Sequence, residues 1–204
     1  MVFFSKKIFQ YIVMNRIIAV DIDEVLVPFL PALSRFYTLQ RNTTVKMPRR
    51  YPYHYAPLFN ITEEESSKLV KDFYETDFHA NLRPIRGSQD MIKKLSKNNT
   101  LIAVTGRQSY ARGPTEELIK NNFRNSFADI IYCDHFTSKA RSKGDICKQI
   151  SADLLIDDNY QSCKECLDLS VPAVNFVGSP LYPWCNVTDI SVSGWNDDFF
   201  SDYL

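Results

Sequence analysis

The 204-residue sequence has no excess of either charge, since its 24 basic residues are matched by 24 acidic ones. Nothing in that balance recommends a nucleic acid or an anionic membrane as a stable partner. The chain also has no apolar run near the roughly 20 residues that a membrane span needs. Hydrophobic residues nevertheless make up 45% of it, which is enough to fill a core and argues against disorder.

Cysteine and histidine are too scattered to predict a disulfide framework or a zinc site. The five cysteines are an odd number, which indicates reduced thiols in an intracellular, cytoplasmic protein. Cys163 and Cys166 form a C-x-x-C pair, but no second pair completes a zinc site. His54, His79 and His135 have no ligand spacing, so we expect them in loops or at the edge of the core.

Residues 1–16 are basic and apolar and contain no acidic residue. They fit a mitochondrial leader, a short signal anchor, or an extension upstream of a second start at Met14. The segment lacks the long apolar stretch and the small-residue cleavage site of a secretory signal. We expect a plain extension over residues 1–15.

Five short runs of Ile, Val, Leu and Ala are apolar without alternation, as in strands that are buried on both faces. They cover residues 17–22, 101–105, 130–133, 154–156 and 173–177. Helical patterns separate the later runs, at Ser88–Leu95 and at residues 115–123 and 144–150. This alternation predicts an α/β fold with a doubly wound, parallel five-stranded sheet that binds ligands at the carboxyl ends of its strands.

The interval between the first two strands is far longer than an ordinary strand-to-helix connection. Residues 30–37 have a helical pattern, as does Glu63–Tyr74 behind the N-cap Thr62, and a loop rich in Tyr and Pro covers residues 48–58. We therefore predict a helical insertion over residues 27–82, set over the carboxyl end of the first strand. The sheet domain would comprise residues 16–26 and 83–204, with the tail from residue 178 wrapped over the surface of the sheet.

Carboxylates follow two of the predicted strands. Asp21 and Asp23 come directly after the first, and Asp157 and Asp158 follow the fourth. A D-x-D pair alone says little, since an Asp-rich chain of this length holds about one by chance. Acids at two strand ends repel each other unless a cation joins them, and Mg²⁺ prefers oxygen ligands. The predicted site uses Asp21, the backbone carbonyl of Asp23, and Asp157 or Asp158, with Asp157 favoured for the direct contact.

Phosphate-binding groups are predicted at two further positions. The second strand ends in Thr105, Gly106 and Arg107, where a hydroxyl, exposed backbone N–H groups and a cation can hold phosphate oxygens. Lys143 stands just before a helix and can reach back over the strand ends. For Arg107 and Lys143 the alternative is an ordinary solvated position.

The strand-end motifs resemble those of the haloacid dehalogenase-like (HAD) hydrolase superfamily, in kind and in order. They are IAVDID at residues 18–23, IAVT at residues 102–105, Lys143, and LIDD at residues 155–158. The resemblance covers most of the chain from residue 16 to residue 156 and beyond. The insertion between the first two motifs looks like the C1 type of cap.

Within that superfamily the chain is most similar to the 5′(3′)-deoxyribonucleotidases. The likeness is carried by LRPIRG at residues 82–87, by KGDICK at residues 143–148, and by a tail that contains Trp184 and Trp195. Two features depart from those enzymes. Glu24 stands where they usually have glycine, and the loop that starts at Thr105 differs from their phosphate loop.

The resemblance implies a Mg²⁺-dependent phosphomonoesterase in which Asp21 is the nucleophile and Asp23 the general acid and base. A small phosphorylated substrate follows, with a nucleoside monophosphate as the first choice. Several aromatic residues would either stack on the base or form the core of the cap, namely Phe29, Tyr37, Tyr55, Phe59, Phe73 and Phe78. The alternatives are a phosphatase for another small metabolite and a catalytically silent binding or regulatory protein. The oligomeric state is open, with a homodimer among the options.

Overall fold

The structure, a computed structural model, describes residues 15–43, 53–178 and 182–204. Within these ranges one sheet contains the strands β1 (Arg16–Val20), β2 (Asn99–Thr105), β3 (Phe127–Tyr132), β4 (Leu154–Asp157), β5 (Ala173–Phe176) and β6 (Ser191–Val192). The predicted α/β fold with a parallel sheet is confirmed, and each of the five predicted strands is present. The additional strand, β6, has only two residues and gives no periodic pattern in the sequence.

The strand order places β1 in the middle of the sheet. Across the sheet the order is β3-β2-β1-β4-β5-β6, and all neighbours are parallel. The chain builds outward from β1 on one side and from β4 on the other, so the winding reverses between them. Ligands of open α/β sheets bind at the carboxyl ends of the strands beside such a reversal. Since Val20 is in register with Ile156, the residues that follow β1 and end β4 lie side by side at that point.

The α-helices of the described ranges precede, connect or follow these strands. They are α1 (Phe29–Arg41), α2 (Tyr55–Phe59), α3 (Glu63–Tyr74), α4 (Asp77–Ala80), α5 (Ser88–Leu95), α6 (Arg112–Phe123), α7 (Lys143–Gln149) and α8 (Tyr160–Asp168). The bounds of α3 and α5 agree with the prediction. Thr62 caps α3 as expected, and the structure adds a capping box with Glu65. The helices α2, α4 and α8 were not predicted.

Two helix starts differ from the sequence-based expectation. A 3-10 turn at Ser109–Ala111 leads directly into α6, so this helix begins at Arg112, three residues before the predicted start at residue 115. The helix α7 begins at Lys143, one residue early, because the Ser142 side chain accepts a hydrogen bond from the backbone N–H of Asp145. This cap fixes the direction in which Lys143 leaves the helix.

Separate apolar clusters cover the two faces of the sheet. On one face Ile92 of α5 and Leu118 of α6 pack against strand residues such as Ile18. On the other face Ile146 of α7 and Cys163 of α8 pack with their own set of strand residues. Each fully buried side chain of this size contributes about 1.5–3 kcal/mol relative to an exposed one. A sheet covered on both faces explains why its strands are apolar without alternation.

The helices α1–α4, which we call the helical insertion, have an apolar cluster of their own. It includes Phe29, Leu33, Phe59, Leu69 and Phe73, all buried. The expectation that aromatic residues of this segment form a core therefore holds for most of them. The exact-boundary prediction of residues 27–82 stays a prediction, and residues 48–52 of the predicted loop lie outside the described residues, as do residues 1–14.

The end of the chain enters the core, which corrects the expected surface position of the tail. Trp195 is 1% exposed and packs between Phe176 and Phe200. Its indole N–H donates a 2.8 Å hydrogen bond to the backbone carbonyl of Val25, in the loop after β1. The tail thus adds a strand to the sheet and supports the loop that carries Asp23. Across the described residues, no helix has both the length and the apolar character of a membrane span.

Candidate active site

Three aspartates meet at the carboxyl ends of β1 and β4. The backbone N–H of Asp21 donates to the carbonyl of Ile156 at 2.9 Å, which holds the loop after β1 against β4. As a result, one carboxylate oxygen each of Asp21, Asp157 and Asp158 lies within 4.8 Å of the other two. All three residues are buried. The structure therefore brings together the acids that the sequence predicted from two separate strand ends.

Lys143 lies among these acids. Its Nζ is 2.9 Å from Asp21 Oδ1 and 2.5 Å from Asp157 Oδ2, and the side chain is 4% exposed. Burial alone would lower the pKa of Lys143, but the carboxylates of Asp157 and Asp21 raise it well above its usual value. The ammonium is therefore a permanent charge of the site, and the solvated alternative for Lys143 is wrong.

One lysine does not balance three buried carboxylates. Burial raises the pKa of Asp21 to about 7 even though Lys143 lowers it, and the nearby Asp157 raises it further. Burial, followed by the charges of Asp157 and Asp21, raises the pKa of Asp158 well above its usual value. Asp21 Oδ1 has its ion pair with Lys143 but accepts a hydrogen bond from no described residue. A divalent cation fits this donor set, because it supplies the missing charge and takes oxygen ligands.

The two aspartates at the end of β4 differ in their hydrogen bonds and in whether they face the cavity. Asp157 is fully buried, and its oxygens accept from Lys143 and from the backbone N–H of Asn159. Asp158 faces a cavity, and its Oδ2 accepts a 2.6 Å hydrogen bond from the indole N–H of Trp184. The contacts therefore favour Asp158 over Asp157 for direct contact with a metal.

Asp23 is paired with Arg107, a residue that we predicted to bind phosphate. The guanidinium donates from Nη2 to Asp23 Oδ1 at 2.7 Å and from Nε to Asp23 Oδ2 at 3.0 Å. The side chain of Arg107 is 1% exposed and that of Asp23 is 25% exposed. Arg107 is therefore no surface residue, and its predicted contact with phosphate stays a prediction.

The loops after β2 and β3 run together beside the acids. Thr105 Oγ1 accepts from the backbone N–H of Arg107 at 3.2 Å, and His135 donates its backbone N–H to the carbonyl of Gly106 at 3.1 Å. A Cβ on Gly106 would lie 2.9 Å from His135 Nδ1, so a side chain at this position requires the histidine ring or the loop to shift. Thr105 and Gly106 remain predicted phosphate ligands on this loop.

Glu24 occupies a backbone conformation that suits glycine. Its φ is 62°, in the left-handed region that costs an ordinary residue about 1–2 kcal/mol. The Glu24 carboxylate accepts a 2.7 Å hydrogen bond from the backbone N–H of Leu30, in the first turn of α1. Glu24 thus makes a turn that favours glycine, and its side chain holds the start of the helical insertion.

A cavity of about 290 Å³ opens above the acids, between the sheet and the helical insertion. Aromatic rings from the sheet side and from the insertion line it. They are Phe29, Tyr53, His54, Tyr55, Tyr74, Tyr110, His135, Phe136 and Trp184. Of the aromatic residues proposed for stacking from the sequence, only Phe29 and Tyr55 line this cavity. The others within the described chain pack in or against the core of the insertion.

Phe136 was missed by the sequence analysis. It has a φ of 62° and is 67% exposed, yet its ring lies 5.3 Å from that of His54 and 6.1 Å from that of Tyr53. The neighbouring Asp134 accepts from both the backbone N–H and the hydroxyl of Ser109, which fixes the loop. No motif marks a phenylalanine in this position; only the tertiary structure brings it to the cavity.

The solved structures that resemble this one share the HAD-like fold. They include YfnB of Bacillus subtilis, described as a HAD hydrolase bound to magnesium, with a TM-score of 0.66, 11% identity, and coverage of 93% of this chain and 98% of that one. A HAD-superfamily hydrolase of subfamily IA from Geobacter sulfurreducens gives a TM-score of 0.62 and 10% identity, and the match covers 93% of this chain and 97% of that one. A protein of Haemophilus somnus predicted to be a phosphoglycolate phosphatase gives a TM-score of 0.62 and 13% identity, and the match covers 93% of this chain and 98% of that one.

Comparison of the sequence finds one curated relative, an uncharacterised 32.4 kDa protein of Enterobacteria phage T4. The two are 26% identical over 161 residues, which cover 74% of this chain and 56% of that protein. The chain thus spans little more than half the length of the relative it matches. No family model matches the sequence.

Proposed function

We propose that this protein is a Mg²⁺-dependent phosphomonoesterase that acts through an aspartyl-phosphate on Asp21. The observation that carries the proposal is the charge of the site: three buried carboxyl groups face one ammonium, so ionising all three would leave two negative charges unbalanced. Such a site is unfavourable by itself and favourable around a divalent cation and a phosphate. The fold, whose solved relatives include HAD hydrolases, agrees with this chemistry.

The metal ligands would be Asp21, Asp158 and the backbone carbonyl of Asp23, with Asp157 holding Lys143 in place. Asp21 fits because its buried carboxylate lies beside that of Asp158, where Mg²⁺ would supply charge that Lys143 alone does not. Asp158 fits because it faces the cavity. When bound, Mg²⁺ would neutralise phosphate oxygens and keep Asp21 ionised, which its raised pKa otherwise opposes.

The residues of the chain divide the reaction into two displacements. Asp21 attacks phosphorus in line, a carboxylate O–P bond forms, and the ester P–O bond breaks. Asp23 gives its proton to the departing oxygen, then takes a proton from the water that hydrolyses the aspartyl-phosphate. Lys143 offsets charge on the phosphoryl oxygens in both steps, together with the donors of Thr105 and Gly106.

The proposed substrate is a nucleoside monophosphate. The cavity is lined both by acids with Lys143 and by aromatic rings, and a molecule that carries a phosphate and a planar base fits such a lining. Phe136 supports this choice most directly. An exposed phenylalanine in the left-handed region is strained, and such strain at a cavity is typical of ligand-binding positions.

The test is release of inorganic phosphate from nucleoside monophosphates and sugar phosphates, with Mg²⁺ and with chelator. We expect Mg²⁺-dependent release, with nucleotides preferred, and loss of turnover in Asp21→Asn, which keeps the shape of the side chain. Acid quenching should trap a phosphoryl group that hydroxylamine removes, and Asp21→Asn should not carry it. Preference for a sugar phosphate would move the substrate to another small metabolite. No release from any substrate would favour a silent binding protein.

A further inference from the structure

Arg107 connects Asp23 to two other parts of the molecule. While Nε and Nη2 hold the Asp23 carboxylate, Nη1 donates to Thr115 Oγ1 of α6 at 3.0 Å. The same Nη1 lies 3.0 Å from Nε2 of His79, which belongs to α4 of the helical insertion. The guanidinium thus contacts Asp23 through Nε and Nη2, and Thr115 and His79 through Nη1. The contact with His79 joins the sheet domain to the insertion.

His79 is suited to accept this hydrogen bond. Because a guanidinium only donates, Nε2 of His79 must be the unprotonated nitrogen of a neutral ring. Burial and the charge of Arg107 lower the pKa of His79 to about 4, so the ring stays neutral near pH 7. His79 is 1% exposed and lies behind Arg107, away from the cavity wall. Its contact with the site therefore passes through Arg107.

Two aromatic rings of the insertion also contact the guanidinium of Arg107. The guanidinium carbon lies 5.5 Å from the ring centre of Phe29 in α1 and 5.3 Å from that of Tyr74 in α3. Both distances fit cation–π contacts, which strengthen when the cation is removed from water. The position of Arg107 therefore depends on three side chains of the insertion.

We propose that Arg107 and His79 are positioning residues that make the alignment of Asp23 depend on the seating of the helical insertion. The inference rests on the proposed function and extends it to residues that the reaction does not touch. If the insertion shifts, His79 and both rings leave the guanidinium, and a buried N–H loses its acceptor. Arg107 then turns toward another partner and takes the Asp23 carboxylate with it, since two hydrogen bonds join them.

The chemistry of the leaving group separates this role from a general loss of structure. An alkoxide needs the proton of Asp23 as it departs, whereas p-nitrophenolate is a stable anion and departs without it. The ratio kcat/KM covers the reaction up to the departure of the leaving group, so it reports the acid role of Asp23 and not the later attack of water. A misplaced Asp23 therefore impairs alkyl phosphates selectively, while misfolding impairs both esters alike.

The experiment compares kcat/KM for a nucleoside monophosphate and for p-nitrophenyl phosphate in matched variants. His79→Leu keeps the approximate volume but has no acceptor, and His79→Gln places a carbonyl oxygen near the position of Nε2. We expect His79→Leu to lower kcat/KM for the nucleotide at least about tenfold more than kcat/KM for the aryl ester. A general acid contributes about 100-fold to 10,000-fold, so a tenfold selective loss is a partial loss of that contribution. His79→Gln should keep the native ratio. Equal losses on both esters, or equal behaviour of the two variants, would overturn the proposal.

Arg107→Lys provides a second route if His79→Leu does not fold. It keeps the charge but cannot reach Asp23, Thr115 and His79 at once, so it should show the same selective loss. Asp23→Asn sets the largest ratio that loss of the acid can give. Failure of the native protein on both esters would refute the proposed function, whereas native turnover with unselective losses in Arg107→Lys would refute only the coupling.

Discussion

Trp184 donates its indole N–H to Asp158 at 2.6 Å, so a residue near the end of the chain orients an acid at the end of β4. The indole also stacks on Tyr182, at 5.0 Å between ring centres, which limits its rotation. Hydrogen bonds from outside the ligand set orient metal ligands and raise affinity. The tail is therefore part of the proposed metal site.

Loss of this hydrogen bond should weaken Mg²⁺ binding. In Trp184→Phe the ring remains but the donor is gone, and we expect the Mg²⁺ concentration for half-maximal activity to rise about tenfold or more. Titration of activity with Mg²⁺ measures it. Tyr110→Phe changes another ring of the cavity lining, which packs on Tyr74, and should leave that concentration unchanged. An unchanged value in Trp184→Phe would show that Asp158 does not depend on the indole.

Removal of the Phe136 ring should affect nucleotides and spare smaller substrates. Phe136→Asn suits the left-handed backbone, so the loop should persist while the stacking surface disappears. Stacking of a base on an aromatic ring contributes about 1–3 kcal/mol, so KM for a nucleotide should rise at least about fivefold. KM for a sugar phosphate should change little. Steady-state kinetics measures KM for both substrates, with Phe136→Tyr as the control that keeps an aromatic ring. An equal rise in KM for the nucleotide and the sugar phosphate would contradict base stacking.

A side chain at position 106 should damage the site more than one at position 113. In Gly106→Ala the new Cβ would lie 2.9 Å from His135 Nδ1, which forces the His135 ring or the loop after β2 to shift. We expect kcat/KM to fall about tenfold or more because the phosphate donors move. Gly113→Ala meets nothing within 4 Å in α6, and alanine should stabilise the helix by up to about 1 kcal/mol. Kinetics and thermal unfolding of both variants test this contrast.

His79 should make stability sensitive to acid. Its pKa is about 4 in the folded protein and ordinarily 6.5, so the unfolded chain takes up a proton first as the pH falls. The stability from neutral His79 is present above pH 6.5 and is lost as the pH falls toward 4, by up to about 3 kcal/mol. The free energy of unfolding of His79→Gln should not show this loss. Urea unfolding of both proteins at pH 7.5 and pH 4.5 measures the difference, and equal losses would contradict it.

The sheet and the acids could be predicted because their signals are local in the sequence. A buried parallel strand is a continuous apolar run, and an acid directly after it must lie at the carboxyl end of the sheet. Asp21 and Asp157 were found this way although 136 positions separate them. Glu63–Tyr74 was found because the N-cap Thr62 marks the helix start.

The rest of the site depends on contacts that no local pattern records. Arg107 has the same neighbours in the sequence whether it binds phosphate or Asp23, and His79 gives no ligand spacing. Their roles appear only when α4 packs beside the loop after β2. Phe136 and β6 escape for a similar reason, since a single strained residue and a strand of two residues produce no period.

The hydrogen bond from Trp195 to Val25 has a consequence for synthesis of the protein. The loop after β1 leaves the ribosome well before its support, because Trp195 follows Val25 by 170 positions. A growing chain can pair its early strands, but the loop with Asp21 and Asp23 lacks that anchor until Trp195 has emerged. Nascent chains stalled before Trp195 should therefore have the sheet without a settled catalytic loop, and activity should appear only as translation of this region finishes.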